Sequence, residues 1–76
     1  MNAVRRKKLQ KIQEELNELQ EQLSGLLEEE EDYRDNMPEN LQESERYQTA
    51  EEACDNMQEA IDNIEAAIES IEAAAE

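Results

Sequence analysis

Residues 35–44 read DNMPENLQES. This stretch decides whether the chain is one long rod or two rods folded together. Pro38 has no amide N–H and disfavours a helical conformation at Met37, so a helix entering from the N-terminal side must end near Arg34 or Asp35. Beyond the break, Asn40 and Ser44 are both candidate N-caps, and Thr49 with Glu52 reads as a capping box. The spacing predicts a first helix over about residues 2–34, a turn over about 35–43 and a second helix over about 44–75, in one domain spanning 1–76.

Outward from the break, both flanks carry heptad periodicity. Before it, Leu9, Ile12, Leu16, Leu19, Leu23 and Leu26 step alternately by three and four, the a/d seam of a coiled coil. The same register puts Glu30 at a, Tyr33 at d and Met37 at a. Gly25 interrupts this helix, at a cost of about 1 kcal/mol relative to Ala. After the break the seam is Tyr47, Ala50, Cys54, Met57, Ile61, Ile64, Ile68, Ile71 and Ala75.

Two helices joined by a short turn pack as an antiparallel hairpin. In that arrangement paired residues have numbers of constant sum, and the expected sum is 80. Leu26 then meets Cys54, Leu19 meets Ile61, Ile12 meets Ile68 and Tyr33 meets Tyr47. Arg6 falls beside Glu72, which gives the basic start a place against the acidic C-terminus. Exposed pairs of this kind contribute under about 1 kcal/mol each, but together they oppose a slip of register.

The second helix has a third apolar column. Ala53, Ala60, Ala67 and Ala74 fall at g and widen the stripe beyond what one partner helix covers. One explanation is that alanine is simply a good helix former, as at Ala66 and Ala73. The other is that a further helix packs there. The expected fold class is therefore all-α, an antiparallel two-helix coiled-coil hairpin dimerising into a four-helix bundle. Ala53, Ala60, Ala67, Ala74, Ile61 and Ile68 are expected at the interface between two second helices.

Composition agrees with helix and argues against several functions. A chain of 76 residues with one Gly, one Pro, no Phe and no Trp cannot build a large core. With a single Cys and no His, neither an intramolecular disulfide nor a Cys/His zinc site is available. A Ser–His or Cys–His nucleophile pair is likewise excluded, and one Gly cannot make a phosphate-cradling loop. Cys54, on the seam, reads as a small buried thiol rather than a nucleophile. The expectation is no enzyme, no cofactor and no metal. No apolar run approaches the roughly 20 residues of a membrane helix, and no signal-peptide core follows the basic start, so a cytoplasmic protein is expected.

Charge is the extreme feature. The formal net charge is −15, yet residues 1–11 hold five bases (Arg5, Arg6, Lys7, Lys8, Lys11) and no acid. The rest of the chain holds all 22 acids against Arg34 and Arg46. That field repels nucleic acid and anionic membrane and attracts basic surfaces. The run Glu28-Glu29-Glu30-Glu31-Asp32 is read as a solvated face, since consecutive acids on a helix diverge rather than converge on a cation. On the second helix Asp55, Asp62, Glu69 and Glu76 occupy b, while Glu51, Glu65 and Glu72 occupy e. Together they give a carboxylate about every 5 Å along the axis, comparable with the ~3.4 Å phosphate rise along one DNA strand. Surface acids also serve solubility, which accounts for many acids without accounting for this imbalance. The candidate partner-binding face is therefore Glu28, Glu29, Glu31 and Asp32 with Glu51, Asp55, Asp62, Glu65, Glu69 and Glu72. The expected partner is a basic, nucleic-acid-binding protein, with no direct contact to nucleic acid.

The stretch DNMPENLQESERYQTAEEA (35–53), the acidic Ala/Ile heptads after it and the basic start RRKKLQKI together resemble short acidic uncharacterised helical proteins of phages and mobile elements in Gram-positive bacteria. The resemblance implies a setting in which small acidic proteins inhibit host defence, CRISPR systems included, or nucleic-acid-handling machinery. It transfers no functional residue. Two functions therefore stand as expectations, an inhibitor that mimics nucleic acid and occupies a basic groove, or a structural coiled-coil adaptor that uses the Ala/Ile stripe.

Overall fold

Pro38 (φ −57°, ψ 147°) holds an extended conformation just past the end of the first helix. The first helix, α1, runs Ala3–Asp35, and a computed structural model describes the chain from Met1 to Glu76. The last turn of α1 tightens as the Asn36 N–H donates to Asp32 O at 3.0 Å and the Met37 N–H to Arg34 O at 3.3 Å. These bonds satisfy orphan carbonyls without a glycine cap. A single 3-10 turn, Glu39–Leu41, follows. Ser44 then starts α2, Glu45–Ala74. Its hydroxyl donates to the Leu41 carbonyl and accepts the Tyr47 N–H at 3.3 Å, so one side chain both closes the turn and caps the helix. Thus Ser44, rather than Asn40 or the Thr49–Glu52 pair, is the N-cap. Met37 is buried where the turn begins.

Asn2 caps the start of α1, its side chain accepting the Arg5 N–H at 2.8 Å. The chain is an all-α hairpin, with the two helices packed along their length in a rod of 59 × 15 × 12 Å. No helix is long and apolar enough to cross a membrane.

On α2 the seam lies as the heptads place it. Ala50, Cys54, Ile61 and Ile68 are buried, while Tyr47, Met57, Ile64, Ile71 and Ala75 are partly covered. On α1 the seam is rotated from the expected one. The shared column Leu9, Leu16, Leu23 and Glu30 faces inward, but its companion is Arg6, Gln13, Gln20, Leu27 and Arg34 (heptad position e). The expected d residues are exposed instead, Ile12 to 45 %, Leu19 to 53 %, Leu26 to 55 % and Tyr33 to 48 %. Leu27, with Leu23 beside it, packs into the cluster of Cys54, Ile61 and Met57.

The physical reason is visible in what the e residues reach. Arg6 Nε donates to Ala75 O at 2.8 Å, Gln13 Nε2 to Glu72 Oε1 at 2.7 Å and Gln20 Nε2 to Ile61 O at 3.4 Å. Arg34, two turns from Leu27, bears on Cys54 electrostatically. Turning α1 by about 50°, at 100° per residue, brings in Leu27 and these long donors while keeping the leucine column. Three expected pairings are thereby corrected. Leu27, not Leu26, packs with Cys54. Gln20, not Leu19, faces Ile61. Arg6 caps the C-terminus of α2 at the Ala75 carbonyl rather than pairing with Glu72, whose carboxylate takes Gln13. A cation at a helix C-terminus still opposes the dipole there.

Candidate protein-binding surfaces

The rotation of α1 gives the rod two unlike faces. At 100° per residue, the stripe Ile12, Leu19, Leu26 and Tyr33 lies about 80° to one side of the direction from α1 to α2. The Ala53, Ala60, Ala67 and Ala74 column lies about 90° to the side of the direction from α2 to α1. Because the helices are antiparallel, rotations in the same sense put stripe and column on one face. The Gln13–Glu72 hydrogen bond runs along the opposite edge of the seam. One face is therefore apolar and the other polar.

The apolar face is open. Ala53 and Ala60 are half-buried against α1, while Ala67 and Ala74 are exposed. Ile61 and Ile68 lie within the intrachain seam, 8 % and 7 % exposed. What the face presents is thus alanine on α2 and large side chains on α1. Covering the exposed half of the four α1 side chains contributes on the order of 3–6 kcal/mol. That matters in a chain where six of 76 residues are buried. The sequence reading missed this stripe as a surface because it assigned the same residues to the hairpin seam. The signal was the Leu26-Leu27 doublet, which offers two seams, together with donors long enough to cross at Arg6, Gln13 and Gln20.

A second pattern accompanies it on α2. All the acids of Glu45–Glu76 fall at heptad positions b, e and f. The column beyond the alanines, position c, is neutral throughout, with Thr49, Asn56, Asn63 and Ser70. A chain with 22 acids keeps negative charge off this side of its second helix for its whole length.

The polar side carries the acids. Glu51, Asp55, Asp62, Glu65, Glu69 and Glu72 are all exposed. Gln58 Nε2 holds Asp62 Oδ1 at 3.0 Å. Of the Glu28–Asp32 run, Glu28, Glu31 and Asp32 join Asp35 around a shallow, open depression of about 350 Å³ lined by no hydrophobic residue. Glu29 takes no part in it. No three of these carboxylates converge in a metal-ligating arrangement.

Internal neutralisation is slight. Arg34 Nε–Asp35 Oδ1, at 2.9 Å between adjacent residues, is the only ion pair. Its hydrogen bond to Asp35 raises the Arg34 pKa further. None of the five N-terminal bases has a carboxylate partner. Cys54 is buried and unpaired. Burial pushes its thiol pKa up, the Arg34 charge opposes this, and Glu31, Glu30 and Asp55 add to it. The thiol is neutral at physiological pH and packs as a small apolar group. No protein-family model, curated protein or solved structure matches the chain.

Proposed function

We propose that this chain is a non-enzymatic protein-binding module whose acidic side engages a basic, nucleic-acid-binding protein. The observation that supports this most is the single internal ion pair. The charge of −15 is left for solvent or for a partner, along a rod 59 Å long. A stiff rod with acids at this spacing enters a basic groove and competes there with nucleic acid, the behaviour of a mimic. Contact falls to Glu28, Glu31 and Asp32 at the turn end of α1 and to Glu51, Asp55, Asp62, Glu65, Glu69 and Glu72 along α2. The resemblance to phage and mobile-element proteins gives such binding an inhibitory sense, directed at host defence.

The test is capture on the immobilised chain from a bacterial lysate, eluted along a salt gradient and separately with DNA. A basic protein released by moderate salt and by DNA is the expected result. If nothing basic is retained, or the complex ignores both salt and DNA, the proposal fails.

A second reading is favoured by the exposed stripe on α1. The hairpin self-associates into a four-helix bundle, which covers Ile12, Leu19, Leu26 and Tyr33 and completes a core too small in one chain. Light scattering across a concentration series tests it, with twice the chain mass expected. The readings are compatible, because the contact acids named above and the apolar face lie on different sides of the rod.

A further inference from the structure

The apolar face is lopsided in a regular way. Level by level along the rod, a large residue on α1 lies beside a small one on α2. Ile12 is level with Ala67, Leu19 with Ala60 and Leu26 with Ala53, all in the hairpin's own register. The α1 side is a ridge and the α2 side a trough. Such a face is complementary to itself under a two-fold axis parallel to the helices, which keeps every level and exchanges the two sides.

We infer that the occupant of this face is a second copy of the chain, stacked in the same direction, with the α1 ridge of each copy seated in the alanine trough of the other. Large side chains then meet small ones at each layer, the arrangement that lets layers interdigitate. Each α1 is flanked by two α2 helices and like helices sit diagonally, which keeps the acid-rich second helices apart. This rests on the self-association reading above and adds the face, the direction and the register.

Charge on the edges agrees. The residues flanking the ridge on its outer side are Lys8, Glu15, Gln22 and Glu29. In this register they pass over the neutral column of the other copy, Ser70, Asn63, Asn56 and Thr49 in the same order. Every one of those neighbours can hydrogen-bond and none repels. Pairing α1 with α1 in antiparallel fashion, matching all four stripe residues, instead sets Glu15 against Glu29 of the other copy and packs α2 beside α2. The size of the face also suffices, since a side of 59 × 15 Å is on the order of the ~800 Å² per partner of a stable interface. The same geometry moves the interface away from Ile61 and Ile68, which α1 of the same chain already covers.

Disulfide trapping separates the arrangements. In a Cys54→Ala background, Leu19→Cys and Ala60→Cys chains are made separately, mixed and oxidised. The expected product is the mixed dimer, in which a Leu19→Cys chain is bridged to an Ala60→Cys chain, formed in preference to either homodimer. Leu19→Glu and Ala60→Glu, each checked by circular dichroism for an intact hairpin, are expected to halve the mass seen by light scattering. A wild-type chain that stays single up to high concentration overturns both this inference and the self-association reading. A wild-type dimer whose cysteine variants trap chiefly as homodimers, Leu19→Cys with itself or Ala60→Cys with itself, overturns the stacking alone.

Discussion

On α2 every large apolar side chain, from Tyr47 to Ile71, faces α1 and none is exposed, whereas α1 leaves Ile12, Leu19, Leu26 and Tyr33 about half exposed. The two helices have the same period and nearly the same length, so periodicity does not explain the contrast. What differs is the number of seams each sequence can form. Acids on α2 occupy b, e and f, leaving one acid-free side and one choice of direction. On α1 the shared leucine column can take either neighbour as its companion, the apolar d residues or the long donors at e. Hydrogen bonds from Arg6, Gln13 and Gln20 to α2 accompany the second choice. An amphipathic pattern thus fixes which residues are apolar before it fixes which partner they meet.

The strongest way to break this comparison is the leucine doublet. Leu27 is 8 % exposed and Leu26 is 55 % exposed, though the plain heptad assigns them the reverse roles. Both are best tested in an Ala60→Glu background, which holds the hairpin single if copies stack as inferred. There Leu27→Ala is expected to cost about 2–3 kcal/mol in urea melts, the lower part of the range for a buried leucine truncation. Leu26→Ala is expected to cost under about 1 kcal/mol, as for a half-exposed side chain. Equal losses, or a larger loss at Leu26, restore the a/d seam on α1 and remove the open stripe.

Much of this fold could be read from the sequence, and the part that could not has a definite cause. Pro38 stops α1 by covalent geometry, Ser44 caps α2 through a local hydrogen bond, and both facts are contained within a few residues. The α2 seam is equally legible, because only one side of that helix is free of acids. The rotation of α1 depends on where Gln13, Gln20 and Arg6 find acceptors, and those acceptors lie on a different helix. Periodicity is blind to such bonds. The acids on the polar side were legible as exposed residues, and so was one grouping among them: Glu28, Glu31, Asp32 and Asp35, which share a depression that excludes Glu29, stand at i, i+3, i+4 and i+7 on one face of α1.

Two smaller substitutions sharpen the contrast between the ends of the hairpin. Ser44→Ala removes the hydroxyl that ties Leu41 to Tyr47, and a lost N-cap costs about 1 kcal/mol. Amide exchange in the first turn of α2 should quicken with it, since those donors lose their acceptor. Gly25→Ala acts in the opposite direction. The added methyl group meets nothing within 4 Å, so helix propensity alone operates and gives a gain just under about 1 kcal/mol. A loss at Gly25 instead implies a neighbour there that a single hairpin does not supply.

The smallest effect expected is the pH response of Cys54, and it reports on the buried side of the comparison. Burial raises the folded-state thiol pKa above its ordinary value, against the opposing charge of Arg34. Below the ordinary value the thiol is protonated in both states and pH has no hold on stability through it. As pH rises past that value, the unfolded chain ionises first, so the unfolded state gains and the hairpin weakens until the folded thiol also titrates. Urea midpoints should therefore fall more steeply in wild type than in Cys54→Ala on going from neutral to strongly alkaline pH, with tyrosine titration common to both. Arg34→Gln removes the opposing charge, raises the folded thiol further and extends the fall to higher pH. Parallel curves for wild type and Cys54→Ala mean that Cys54 is solvated, and that the seam around Leu27 and Ile61 is open to water.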